Sequence, residues 1–141
     1  MYLIACVDDR MGMMFNHRRV SRDRAVIRDI MDRCGDQGVY MESYSAGLFK
    51  DYNSENVHIL NEDWNDLLEG HYFFAEDPDV IREESVEKII LYQWNRNYPA
   101  DKYFPIDLDG WILEETDEFA GYSHEKITRS CFVRDKVNNK V

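Results

Sequence analysis

The sequence predicts a three-layer α/β/α fold with a mixed, mainly parallel sheet and an antiparallel strand pair at its C-terminus. Three observations predict it. A continuous apolar run, Tyr2 to Val7, ends abruptly at Asp8-Asp9, as a central strand buried on both faces does. Apolar residues then recur at three- and four-residue spacing (Val26, Ile27, Ile30, Met31, Cys34), the period of an amphipathic helix. Strands and helices alternate through the first two-thirds of the chain, and two strand patterns without helices close it.

In order, Tyr2–Val7 is the first strand, and a loop from Asp9 to Val20 carries Gly12 and Asn16. Ser21 is the expected N-cap of the helix, with Asp23 in its first turn, where a carboxylate complements the dipole; Gly35 and Gly38 stop it. Val39–Met41 gives the second strand, Ser43–Phe49 a short helix and Val57–Leu60 the third strand. A helical turn around Trp64–Leu68 precedes a fourth strand, Tyr72–Ala75. Val80–Glu84 reads as a helical turn after Pro78, and Val86–Trp94 as another buried strand around Ile89-Ile90-Leu91. Trp111–Phe119 and Ile127–Val133 alternate as an antiparallel pair.

The 141 residues fit one α/β domain spanning 1–141, and no repeat, low-complexity run or linker interrupts them. A chain of this size buries roughly two-thirds of its unfolded surface. The apolar fraction of 44% and the 19 Tyr, Phe and Trp residues supply a core and argue against disorder. Cys6, Cys34 and Cys131 are odd in number and lack C-x-x-C spacing, which predicts buried thiols in a reducing compartment. With no signal-peptide pattern and no long apolar span, the expected location is the cytoplasm, away from membranes.

Charge is distributed unevenly. Between Arg10 and Arg33 stand seven arginines and three aspartates, a local net charge of +4, whereas the whole chain carries −11. The overall charge excludes extended nucleic-acid binding, whose affinity comes from neutralised phosphates. The local reversal marks a place for a small anionic ligand.

That stretch holds the leading site candidates: Asn16, His17, Arg18, Arg19, Ser21, Arg22 and Asp23. It joins the C-terminal end of the first strand to a helix start, where ligands collect in open α/β sheets. Arginine forks and free N–H groups there suit a phosphate or carboxylate, and Asp23 with His17 has the composition of a general acid–base pair. The plainer alternative is that the arginines balance an acidic surface and Asp23 serves the helix dipole. Asp8-Asp9 suit Mg²⁺ or pair with Arg10, Arg18 or Arg19. Arg96, after another strand end, joins the anion site if the two strands are neighbours. Ser123-His124 lacks a G-x-S-x-G elbow and reads as a loop. The histidines His17, His58, His71 and His124 show no zinc-ligand spacing, so neither a metal nor a cofactor is assigned.

Several local matches give a family resemblance. Tyr103-Phe104-Pro105, Asp109-Gly110-Trp111, Phe119, Ser123-His124 and Cys131-Phe132 resemble the C-terminal succession of dihydrofolate reductase. The first strand, Gly12-Met13 and the acid opening the first helix add to the likeness. The resemblance implies a dihydrofolate reductase-like fold, with Asp23 at the position of the family's catalytic carboxylate. The cofactor motifs depart from that pattern. Where the family has Gly and then Arg-His-Thr for the cofactor phosphates, this chain has Glu42-Ser43-Tyr44-Ser45, in which Ser45 alone offers a comparable group. Where the family has paired glycines near the pyrophosphate, this chain has Ala75-Glu76-Asp77-Pro78. Arg18 replaces a tryptophan. The segment Val7–Asp23 also resembles short bacterial chains often labelled ribonuclease Z, a label implying a zinc hydrolase whose H-x-H-x-D-H motif is missing.

These readings lead to a module binding a small anionic or nucleotide-like ligand. The alternatives are an atypical reductase with Asp23 as proton donor, a phosphodiester hydrolase or ribonuclease using Asp8, Asp9 or His17, and a protein-interaction subunit.

Overall fold

In a computed structural model, which describes residues 1–60 and 68–135, seven strands form one mixed sheet in the order β5-β4-β6-β1-β7-β10-β9. β1 (Tyr2–Val7) lies at its centre, paired in parallel with β6 (Tyr72–Phe74) on one side and β7 (Lys88–Gln93) on the other. β4 (Val39–Glu42) pairs in parallel with β6 and with the edge strand β5 (Val57–Leu60). β10 (Ile127–Arg134) runs antiparallel to β7, and β9 (Trp111–Phe119) antiparallel to β10.

The apolar run of β1 is continuous because each face of the strand meets a separate core. Leu3, Ala5 and Val7 join one apolar cluster and Ile4 the other, and β7 divides Ile89 and Leu91 from Ile90 and Tyr92 in the same way. Alternating side-chain direction along a strand produces this division.

On one face lies α1 (Arg24–Cys34), whose buried residues are the five that set its period: Val26, Ile27, Ile30, Met31 and Cys34. Removing the Ile30 side chain beyond Cβ would cost about 2–5 kcal/mol, as for other fully buried large-to-small changes. A short helix, α2 (Ser43–Ala46), runs on into a 3-10 turn over Gly47–Phe49, which buries Phe49 on the same face. Among the described residues, the opposite face is covered by 3-10 turns and by a small antiparallel sheet of β2 (Gly12–Phe15), β3 (Arg18–Arg19) and β8 (Lys102–Tyr103).

Four local expectations need correction or completion. The segment 9–20 is a β2–β3 hairpin in which Phe15 pairs with Arg18. Its two-residue loop, Asn16-His17, has φ of 51° and 65°, the left-handed pair of a type I′ turn. The N-cap of α1 is Asp23, with extended backbone and a side chain accepting from the Ala25 N–H; Ser21 lies two residues too early. The turn after Pro78 is two 3-10 turns, Pro78–Val80 and Glu83–Ser85. The helical turn around Trp64 lies outside the described residues, apart from Leu68, which is buried. No described helix is long and apolar enough to cross a membrane, and the three cysteines are free thiols.

Edge strand β9 leaves residues 112–118 exposed, with Glu114, Glu115, Asp117 and Glu118 among them. Such charges oppose edge-to-edge association. The parallel strands all end at one rim of the sheet, so Asp8, Glu42, Glu76 and Trp94 gather there with the start of α1.

Candidate functional site

The two aspartates nearest the rim are buried clasps. Asp8, 2% exposed, accepts from the backbone N–H groups of Arg10 (2.9 Å), Gly12 (2.7 Å) and Tyr98 (3.0 Å). It ties three loop positions together instead of pairing with arginine side chains. Gly12 permits this closeness, because a Cβ there would stand 2.6 Å from Ala100 Cβ and 3.0 Å from Asp8 Oδ1. Among the described residues, no group of three or more His, Cys, Asp or Glu side chains is gathered as a metal site requires.

Asp23 has a fuller set of partners. Its Oδ1 accepts from the N–H groups of Ala25 (2.9 Å) and Tyr122 (3.0 Å). Its Oδ2 accepts from Ser123 N–H (2.9 Å), Ser123 Oγ (3.1 Å) and His124 Nδ1 (3.0 Å). The residue thus caps α1 and fastens the β9–β10 loop to it. Burial by itself pushes this carboxyl up, but the hydrogen bonds from His124, Tyr122, Ser123 and Ala25 outweigh burial and hold it well below the usual carboxylate range. These contacts make Asp23 a hydrogen-bonded anchor between α1 and the β9–β10 loop.

The partner of Asp23 is His124 and not His17. His124 is 4% exposed and stacks on Trp94, with ring centroids 4.6 Å apart and planes 23° from parallel. A carboxylate only accepts, so His124 donates from Nδ1; in the neutral tautomer this contact selects, Nε2 is the acceptor. Two hydroxyls meet it there: Ser21 Oγ at 3.0 Å and Tyr98 Oη at 2.9 Å, themselves 3.2 Å apart. Sequence spacing could not have found His124, since 101 residues separate it from Asp23. The available signal was a Ser-His pair in a glycine-containing loop before a strand.

The arginines of the basic segment have different surroundings. Arg19 donates to Glu76 through Nε (2.6 Å) and Nη2 (3.0 Å) and lies 4.4 Å from the centroid of the Tyr44 ring. Ser45, 2% exposed, donates to the same Glu76 at 2.8 Å. Arg19 and Ser45 are therefore taken up by an internal carboxylate. Arg33 meets Glu115 at 3.3 Å. Arg24 and Arg28 lie over Tyr122, at 5.0 and 5.9 Å from the ring centroid. Arg18 and Arg22 are exposed. Arg96 is also exposed and lines a separate depression with Asn95, Glu125 and Lys126, away from Arg18 and Arg19. Asn16 has its N–H on Asp101 (3.0 Å) and, with Arg18, borders a hollow beside Tyr98 and Pro99.

Three further hollows follow the rim. A cavity of about 20 Å³ is enclosed by Cys6, Ser21, Asp23, Glu76 and Trp94 among others, room for one group the size of a water. It shares Arg22, Asp23, Ile27 and Leu48 with an open groove of about 560 Å³, which also has Arg24, Lys50, Asp51 and Tyr122 on its walls. On the other side of Arg19, a hollow of about 250 Å³ is lined by His17, Glu42, Glu76, Asp77 and Lys102. Burial and the nearby Asp77 carboxylate push Glu42 up, and Lys102 is held by Asp77 (3.3 Å) and Asp79 (2.7 Å). His17 thus faces carboxylates, in a different hollow from Asp23.

The fold is similar to that of a solved dihydrofolate reductase from Enterococcus faecalis, complexed with NADP(H) and RAB-propyl. The TM-score is 0.69, 95% of each chain is covered and the sequences are 11% identical. The chain therefore has a dihydrofolate reductase-like fold, and at this identity the likeness extends to fold alone. No family model and no curated protein matches the sequence, so the ribonuclease Z resemblance gains no support.

Proposed function

We propose that this chain is a single-domain cytosolic binding module for a small anionic or nucleotide-like ligand, held in the groove between the start of α1 and the end of α2. The observation that carries the reading is the lining of that groove: Arg22, Arg24 and Lys50 on the walls beside the apolar side chains of Ile27 and Leu48. Cations and an apolar wall together match a ligand with a flat or aliphatic body and an anionic end. The carboxylates of the groove are Asp51 and Asp23, and Asp23 is already saturated by donors. Arg22 and Arg24, more than Arg18 and Arg19, are the residues to which the anion is assigned. The free thiols accord with a reducing compartment.

The test is thermal unfolding with nucleoside monophosphates, sugar phosphates and aromatic carboxylates. Binding raises the midpoint as ligand exceeds its Kd, by about 2.7 kcal/mol of stability at a hundredfold excess. The double change Arg22→Ala with Arg24→Ala abolishes the rise, whereas Arg18→Ala leaves it. Absence of any shift across all three ligand classes contradicts the reading.

A further inference from the structure

We propose that Ser21 is a nucleophile activated by His124 and oriented through Asp23, and that the chain is an acyl-ester or thioester hydrolase as well as a binding module. Ser21 Oγ, His124 Nε2, His124 Nδ1 and Asp23 Oδ2 form one chain of contacts, with both donor–acceptor links 3.0 Å long. That is the order of groups in which a hydroxyl passes its proton to an imidazole whose tautomer is fixed by a buried carboxylate. The residues come from the approach to α1 and from the β9–β10 loop, so the constellation is recognised by geometry, with no sequence motif.

Three further features suit the role. Ser21 and Asp23 line the small cavity that adjoins the basic groove, and Asp23 and His124 are both buried. The N–H of Arg22, the residue after the nucleophile, meets no protein acceptor among the described residues and is available to a developing oxyanion. Trp94 stacked on the imidazole fixes the ring plane.

In the reaction, Ser21 Oγ bonds to the acyl carbon and its proton goes to His124 Nε2. The tetrahedral adduct collapses, the bond from acyl carbon to the leaving oxygen or sulfur breaks, and the leaving group takes the proton from Nε2. Water then attacks the acyl-serine, giving a proton to Nε2. The acyl–Oγ bond breaks and Oγ recovers that proton. The acyl chemistry stands on the Ser21–His124–Asp23 geometry alone, but the substrate class, an ester with an anionic tail, rests on the groove reading above.

The test uses the full chain with 4-nitrophenyl acetate, the 4-nitrophenyl monoester of succinate and phenylmethylsulfonyl fluoride. Ester turnover is expected to fall on the order of 10²-fold or more in Ser21→Ala, with its thermal midpoint close to that of the parent. The sulfonyl group should be found by peptide mass mapping on Ser21. Turnover unchanged in Ser21→Ala, modification of Tyr98 or another residue, or no turnover by the parent would each overturn the proposal. Preference for the succinate ester that is lost in Arg22→Ala supports both nucleophile and groove. Equal turnover of both esters, still dependent on Ser21, upholds the nucleophile and counts against the groove.

Discussion

The basic groove and the acidic hollow sit along the same strand-end rim and draw side chains from one short segment, yet they carry opposite charge. Arg22 and Arg24 line the first and His17 borders the second, where Glu42, Glu76 and Asp77 outnumber Lys102. Between them Arg19 is consumed by Glu76. A run of like charges in a sequence does not define a site. A pleated hairpin sends neighbouring arginines to different environments: Arg19 meets the internal Glu76, whereas Arg18 is exposed. The same contrast separates two polar knots. The Arg19–Glu76–Ser45 knot is closed on itself, whereas the Asp23–His124 knot ends in a ring nitrogen within reach of two hydroxyls.

The largest effect should come from cutting the two knots in turn. Asp23→Ala orphans five donor contacts and uncaps α1, and should cost about 3–5 kcal/mol in urea denaturation. Glu76→Ala leaves the Arg19 guanidinium, on a side chain one-fifth exposed, and the Ser45 hydroxyl without their carboxylate, and should cost about 1.5–3 kcal/mol. Equal costs would erase the distinction between the knots.

Acid should separate them next. The folded pKa of Asp23 lies below its unfolded value of about 4. Its stabilisation is therefore fully present above that value and is lost as pH falls through the folded pKa. Denaturant midpoints measured downward from pH 5 should drop in the parent and flatten in Asp23→Asn; an unchanged slope in the variant would assign the loss to other groups.

Two glycines offer a smaller contrast. A Cβ on Gly121 would meet Asp23 Oδ2 at 2.5 Å and His124 O at 2.9 Å, so Gly121→Ala should destabilise by about 1–3 kcal/mol through overpacking. Gly47, on the groove wall, has nothing within 4 Å of its added Cβ and a helical φ of −59°. Gly47→Ala should stabilise by about 0.4–1 kcal/mol, as read by thermal melts. The smallest effect concerns salt: the ligand-induced thermal shift should shrink between low and physiological ionic strength, because the groove cations are exposed.

Much of the sheet and α1 was legible because their patterns are local. The run Tyr2–Val7 and the period through Val26 and Cys34 depend on which side chains must be buried, and burial dominates both. The β2–β3 hairpin escaped because its turn is Asn16-His17 instead of a glycine pair, and Arg18-Arg19 has none of the apolar alternation of a strand. Asp23 was recognised as a helix-start carboxylate, yet Ser21 drew the cap assignment by residue type alone. Its histidine partner was missed for a different reason: His124 reaches it only through the pairing of β7, β10 and β9, which no spacing within the segment encodes. Arg19 illustrates the same limit, since Glu76 lies 57 residues away.

The most direct measurement is an amide-resolved NMR titration of the full chain with a nucleoside monophosphate and, in parallel, an aromatic carboxylate. Saturating shifts should cluster at residues 22–25 and 47–51, bordering the basic groove, and spare 42–44 and 76–77 around the acidic hollow. Shifts centred on the acidic hollow, or on Arg18 and Arg19 alone, would contradict the groove reading.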